Sequence, residues 1–219
     1  MAAPRTNTSN PALGTLAAEA EQGSAAQRDR RRRILDATLQ LASKGGYDAV
    51  QMRAVAERAE VALGTLYRYF PSKIHLLVSA LARELDRSQE KLSRAPIPGD
   101  TSYDRMLFVL GKVTRSMQRD PLLTEAMTRA FMFADPSAAT EVNAVARLME
   151  DMFTRAIHEG ESTEPSADDR ATARVIGDVW LSNLVAWVTR RASANDVINH
   201  LELAARLLLA TPRPEGNAE

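Results

Sequence analysis

Six polar side chains define the chemistry open to this chain. Thr65, Tyr67, Arg68 and Tyr69 fall within five residues, Lys73 follows four later, and Arg53 precedes them. The four clustered residues occupy positions that the apolar pattern does not use, while Leu66 and Phe70, spaced i, i+4, face a core. Hydroxyl donors on such a helix position it on phosphates without reading sequence. A lysine at a helix N-terminus adds its charge to backbone amides on one phosphate, and an arginine can pair bidentately with a guanine edge. The set therefore points to recognition of a polyanion rather than to bond making. Nothing else in the chain supplies a catalytic constellation. His75, His158 and His200 stand far apart, and no serine-nucleophile motif or glycine-rich phosphate loop occurs. With no cysteine there are no disulfides or thiolate metal sites, which fits a reducing cytoplasm. Neither metal nor cofactor is expected, and the chain is not read as an enzyme.

The elements that must hold these residues follow from helical periodicity. An apolar stripe of Ile34, Leu35, Thr38, Leu39, Leu41 and Ala42 predicts a helix over 26–43, stopped by Gly45-Gly46. A second helix spans 52–59 with Val55, Ala56 and Ala59 inward, Glu60-Val61 turns the chain, and a third spans 63–70. Such a tight helix pair suits a DNA groove. A long helix over 72–94 then leads to Pro96, Pro98 and Gly99. Helices follow over 103–118, 121–133 and 136–159, the last capped by Asp135. Two more, 166–192 and 193–210, open on capping boxes, Ser166 with Asp169 and Ser193 with Asp196. The reading is all-α with about nine helices: a disordered arm over 1–23, a helix-turn-helix unit over 24–71, a larger helical domain over 72–211 and a frayed tail over 212–219.

A formal net charge of zero conceals an asymmetry. Residues 24–94 hold 14 Lys/Arg against 8 Asp/Glu, whereas residues 95–219 hold 13 against 18. A basic unit on an acidic body is the footprint of a nucleic-acid binder with a second, different domain. The densest basic stretch, Arg28 with Arg30-Arg31-Arg32-Arg33, adjoins the helix-turn-helix and is expected on phosphates, with Arg28 and Arg31 as its DNA contacts. No apolar run approaches the ~20 residues of a membrane span, and 1–23 lacks the pattern of a signal peptide. Neither a membrane partner nor export is expected, and the chain is placed in the cytoplasm.

The run Gly64-Thr65-Leu66-Tyr67-Arg68-Tyr69-Phe70-Pro71-Ser72-Lys73, followed by Leu76-Leu77, resembles the signature of the TetR family of bacterial regulators. That resemblance implies a three-helix DNA-binding unit, a six-helix ligand-binding and dimerisation domain, and a homodimer on a palindromic double-stranded operator. It assigns Gln51, Arg53, Leu63, Gly64, Thr65, Tyr67, Arg68, Tyr69 and Lys73 to the DNA. Two positions depart from the family pattern: Glu60 stands where glycine is usual in the turn, and Ala62 where serine often starts the recognition helix. Stretches 51–56, 122–130 and 178–184 resemble the branch of the family that represses cholesterol catabolism in mycobacteria and rhodococci. That closer resemblance implies a sterol-derived coenzyme A thioester as effector. The alternative within the family is a repressor of an efflux pump that senses apolar drugs.

In the larger domain Phe108, Met117, Met127, Phe131, Met152, Phe153, Trp180, Asn183 and Trp187 recur at helical spacings. They suit a large deformable apolar cavity. Plain core, or for the 180–187 face a dimer seam, would use the same residues. A thioester effector would also need cations at the pocket mouth, for which Arg115, Arg119, Arg129, Arg190 and Arg191 are available.

Overall fold

The structure, a computed structural model, describes residues 11–159 and 164–209, and among these it is helical throughout, with no strand. The first helix, α1 (Pro11–Ala49), is interrupted where the sequence predicts. Gly45 (φ −147°, ψ 20°) and Gly46 (φ 66°, ψ −158°) leave helical geometry. Gly46 is needed twice over. Its φ is left-handed, and a Cβ there would lie 3.3 Å from Glu125 Oε2 and 3.8 Å from Leu122 Cδ2. Helix α1 starts at Pro11, inside the stretch read from the sequence as an arm. Alanine, leucine, glutamate and glutamine dominate that stretch, and all are strong helix formers. Residues 1–10 and the tail 212–219 lie outside the described residues.

The compact unit continues with α2 (Met52–Arg58) and α3 (Leu63–Tyr69). Ile34, Leu35, Val55, Ala56, Leu66 and Phe70 are buried between the three helices. Small Ala56 lets α1 and α2 approach closely. Both departures from the family pattern are visible in the backbone. Glu60 adopts φ 53°, and Ala62 caps α3 without any side-chain hydrogen bond. The guanidinium of Arg33 closes the unit by donating to the Ala59 carbonyl at 2.7 Å.

Helix α4 (Lys73–Leu92) leaves this unit under a Ser72 cap whose Oγ accepts from the Ile74 and His75 amides. It packs on α1, on α6 (Pro121–Met132) and on α7 (Ala139–His158), with Leu76, Leu77, Val78, Ala80, Leu81 and Leu85 buried. Arg83 fastens it to α1, pairing with Asp36 at 2.8 Å and donating to the Arg32 carbonyl at 3.3 Å. Helix α5 (Ser102–Gln118) opens on a capping box of Thr101 and Asp104. Asp135 caps a short 3-10 turn, Pro136–Ala138, ahead of α7 rather than α7 itself. Two more helices complete the domain. Helix α8 (Ala167–Val188) carries both halves of the predicted Ser166–Asp169 box, and α9 (Ala194–Leu209) is held by the Ser193–Asp196 pair. They pack on each other, α8 also on α7 and α9 also on α5.

Candidate nucleic-acid interface

Helix α3 buries Leu66 and turns its other sides outward. Tyr67 is 46% exposed, Arg68 and Gly64 are exposed, and Thr65 and Leu63 are half-buried. A Cβ on Gly64 would meet nothing within 4 Å, so a nucleic-acid backbone or base edge can approach it closely. Gln51 and Arg53 are exposed at the first turn of α2. Of the two tyrosines, Tyr69 is the one that packs: it is half-buried, tilted against Phe70 with ring centroids 6.4 Å apart. Its outer edge still joins Arg68 in an open cleft of about 320 Å³ completed by Gln27 and Arg30 of α1. Two cations and two hydrogen-bonding groups around such a cleft suit one DNA phosphate. Arg30 belongs to the arginine run that the sequence places on phosphates, whereas Gln27 carries no such signal. Their i, i+3 spacing puts them on one side of α1, but only the packing of α1 on α3 shows which side.

The remaining arginines divide their work. Arg28 and Arg31 are exposed as a DNA contact requires, although the Arg31 guanidinium stands 5.5 Å from the Phe70 ring centroid. Arg33 pairs with Asp29 at 3.3 Å besides its bond to Ala59, so it serves the fold.

Lys73 sits at the α4 N-terminus as expected, but its ammonium lies 3.7 Å above the Tyr47 ring. Arg129 of α6 stands 4.3 Å from the same ring, and the Tyr47 amide donates to Glu125 at 3.3 Å. Burial holds the Lys73 pKa below the ordinary lysine range; Asp48 and Glu125 oppose the shift and Arg129 reinforces it. Tyr47 thus joins the DNA-reading unit, the root of α4 and α6 in one cluster. Beside it His75 bridges the Ser72 hydroxyl (2.9 Å) and the Ser137 carbonyl (3.1 Å).

Among the described residues, the aromatic and methionine residues expected around an effector fall in several places. Met117 and Met127 line a small cavity between α4, α5 and α6. Phe131 lines a separate cleft between α7 and α8. Met152 and Phe153 are buried core, as is Trp180, whose indole N–H donates to Thr114 Oγ1 at 3.0 Å. Asn183 faces α9, donating to the Val179 carbonyl and meeting His200 at 3.0 Å. Phe108 is half-buried beneath the Lys112 ammonium, and Trp187 is half-buried on α8. The expected cations separate too. Arg129 belongs to the Tyr47 cluster, and Arg190 (φ 59°) and Arg191 end α8. Arg115 and Arg119 line a cavity together with Lys91 and Lys112, two cations that the sequence pattern does not single out.

Residues 34–80 match the family model for bacterial regulatory proteins of the TetR family, and residues 99–208 match a tetracyclin repressor-like C-terminal domain. The chain belongs to the TetR family. It is 66% identical to the HTH-type transcriptional repressor KstR of Mycolicibacterium smegmatis, over 88% of this chain and 93% of that protein. The Rhodococcus jostii KstR is 62% identical over 96% of this chain and 98% of its own length. A crystal structure of a TetR regulator from Rhodococcus sp. RHA1 superposes with a TM-score of 0.77 at 31% identity, covering 84% of this chain and 97% of that one. Thermus thermophilus FadR, a TetR-family repressor solved with lauroyl-CoA, shares the fold at TM-score 0.65 and 21% identity, over 86% of this chain and 98% of its own. The TetR chain described here is accordingly a helix-turn-helix transcriptional repressor. Among its described residues no helix is long and apolar enough to cross a membrane, and no group of histidine, aspartate and glutamate is placed to hold a metal.

Proposed function

We propose that this repressor binds a palindromic operator as a homodimer, controls genes of sterol catabolism, and is released by a sterol-derived coenzyme A thioester. The observation that carries the DNA half is the outward polar side of α3 beside the arginine-bearing end of α1, joined in the Gln27, Arg30, Arg68 and Tyr69 cleft. In this reading Arg28, Arg31, Thr65, Tyr67, Arg68 and Lys73 hold phosphates, while Gln51, Arg53, Leu63 and Gly64 approach base edges. The two recognition helices of a dimer would lie about one turn of DNA apart. Identity of 62–66% to repressors named KstR supports the sterol-catabolism branch over an efflux regulator. The FadR proteins of Bacillus subtilis and Thermus thermophilus, which share this fold and were solved with stearoyl-CoA and lauroyl-CoA, support an acyl-CoA thioester as the ligand class.

An effector acts only through its higher affinity for the state that does not fit the operator. A mobility-shift titration with cholestenoic acid and with its coenzyme A thioester tests the reading. Release by the thioester alone supports it. Release by unrelated cationic dyes, with no response to either sterol form, would overturn it in favour of the efflux alternative.

A further inference from the structure

We propose that the cleft between α4 and α5 lined by Lys91, Lys112, Arg115 and Arg119 receives the phosphate-bearing end of an acyl-coenzyme A thioester. The inference rests on the thioester reading given above and names the part of the surface that does the recognising. On α4, Ser88, Lys91 and Leu92 are spaced i, i+3, i+4; on α5, Lys112, Arg115, Ser116 and Arg119 are spaced i, i+3, i+4, i+7. Each set forms one helical face, and the two faces meet around a cavity of about 190 Å³ that no carboxylate lines.

Among the described residues these four cations form no ion pair. Arg83, Arg87, Arg129, Arg155 and Arg174, elsewhere in the same domain, each meet a carboxylate within 4 Å. Four uncompensated charges on one cleft repel one another, and a polyanionic ligand removes that repulsion. Arginine forks and lysine ammoniums are the groups that grip phosphate, the one bidentately and the other as a point charge. The local packing accommodates them. A Cβ on Gly111 would stand 3.0 Å from an Arg115 guanidinium nitrogen, so glycine there lets the side chain lie back along α5. The Lys112 ammonium rests 5.3 Å from the Phe108 ring centroid.

The cavity next inward shares Ser88, Lys91, Val113 and Ser116 with this cleft; Leu85, Met117, Leu123 and Met127 form its apolar wall, and Glu84, Arg87 and Asp120 line it as well. The outer cleft holds cations and no carboxylate, whereas the inner one adds Glu84 and Asp120 beside its two methionines, so the phosphates of an amphipathic ligand belong to the outer cleft and its acyl group to the methionine wall. That inner cavity holds only about 60 Å³, far below the roughly 300–1,000 Å³ typical of ligand pockets. The acyl group enters only by parting α4 from α5 and α6. Methionine walls yield to such an intrusion, and α4 carries the DNA-reading unit at its other end.

Calorimetric titration of the full chain with cholestenoic acid and with its coenzyme A thioester, across a salt series, tests the site. Arg115→Gln/Arg119→Gln should weaken thioester binding by about tenfold or more and flatten its salt dependence. Affinity for the free acid should stay unchanged, and Arg190→Gln/Arg191→Gln should bind as the unsubstituted chain does. Undiminished thioester binding in the first variant overturns the site while leaving the effector reading in place. A parallel loss of free-acid binding overturns it too, since the cations would then act through the fold. An unsubstituted chain that binds its operator but not the thioester overturns the effector reading and this site with it.

Discussion

Glu60 shows how far a single residue can depart from the backbone it occupies. The turn between α2 and α3 needs a left-handed residue, and glutamate takes φ 53° there. That conformation costs a residue with a Cβ on the order of 1–2 kcal/mol. Glycine removes the cost but returns roughly 0.5–1 kcal/mol of chain entropy to the unfolded state. Glu60→Gly should therefore stabilise the protein by up to about 1 kcal/mol, a rise of roughly 2–4 °C in Tm for a chain of this size. Thermal denaturation decides it, and an unchanged or lowered Tm would show that the turn is not strained. This position was legible before any coordinates, because helical spacing on both sides of residues 60–62 leaves room for one tight turn only. Gln27 was not, since a run of arginines on a helix does not reveal which of its sides lies beside α3.

At the scale of elements, caps were legible and their pH behaviour follows from them. The Ser193 amide donates to Asp196 at 2.8 Å at the start of α9. That bond first, and the Ser193 side chain second, hold the Asp196 carboxyl below the ordinary aspartate range. A pKa depressed by folding contributes stability that is complete above the unfolded value, about 3.9, and is lost as pH falls through the folded value. Asp196→Asn should lower Tm at pH 7 and leave it unchanged near pH 2, which melting curves at both pH values would reveal; an equal effect at the two would exclude the charge as the cause. Helix α6 carries a second consequence. Leu123, Thr124 and Met127 face the inner cavity, while Glu125 and Arg129 grip Tyr47. A ligand that moves one side of this helix must move the other. Tyr47→Leu should cut the effector's effect on operator affinity, typically about 5–150-fold in such couplings, by about threefold or more. Tyr47→Phe keeps the ring, hence the cation contacts, and should keep the coupling. Fluorescence anisotropy of labelled operator with and without saturating thioester measures both, and equal coupling in the leucine variant and the unsubstituted chain would remove Tyr47 from the path.

For the molecule as a whole, the order and number of helices were written in apolar periodicity and glycine stops, which act locally. The placement of the residues expected around an effector was not, because Met117, Phe131 and Trp180 have the same composition signal yet face a cavity, a cleft and the core. Only the packing of five helices separates those fates. The same holds for the proposed dimer. On α8, Ile176, Trp180 and Leu184 are buried against the domain, yet Val175 on another side is 46% exposed. On α9, Val197, Leu201 and Ala205 are buried while Ile198 and Leu203 stay 39% and 44% exposed. Helices apolar on more than one side need a second partner, and a self-complementary contact between two copies supplies it by twofold symmetry. Burying a charge in such a seam without a partner is far costlier than losing an apolar contact. Leu203→Glu with Val175→Glu should therefore yield a folded monomer. A lone helix-turn-helix reads one half-site, so operator affinity should fall by at least about tenfold. Sedimentation at micromolar concentration without DNA checks the first outcome and a mobility shift the second. A monomeric unsubstituted chain, or a doubly substituted one that remains dimeric and binds as tightly, would move the interface away from α8 and α9.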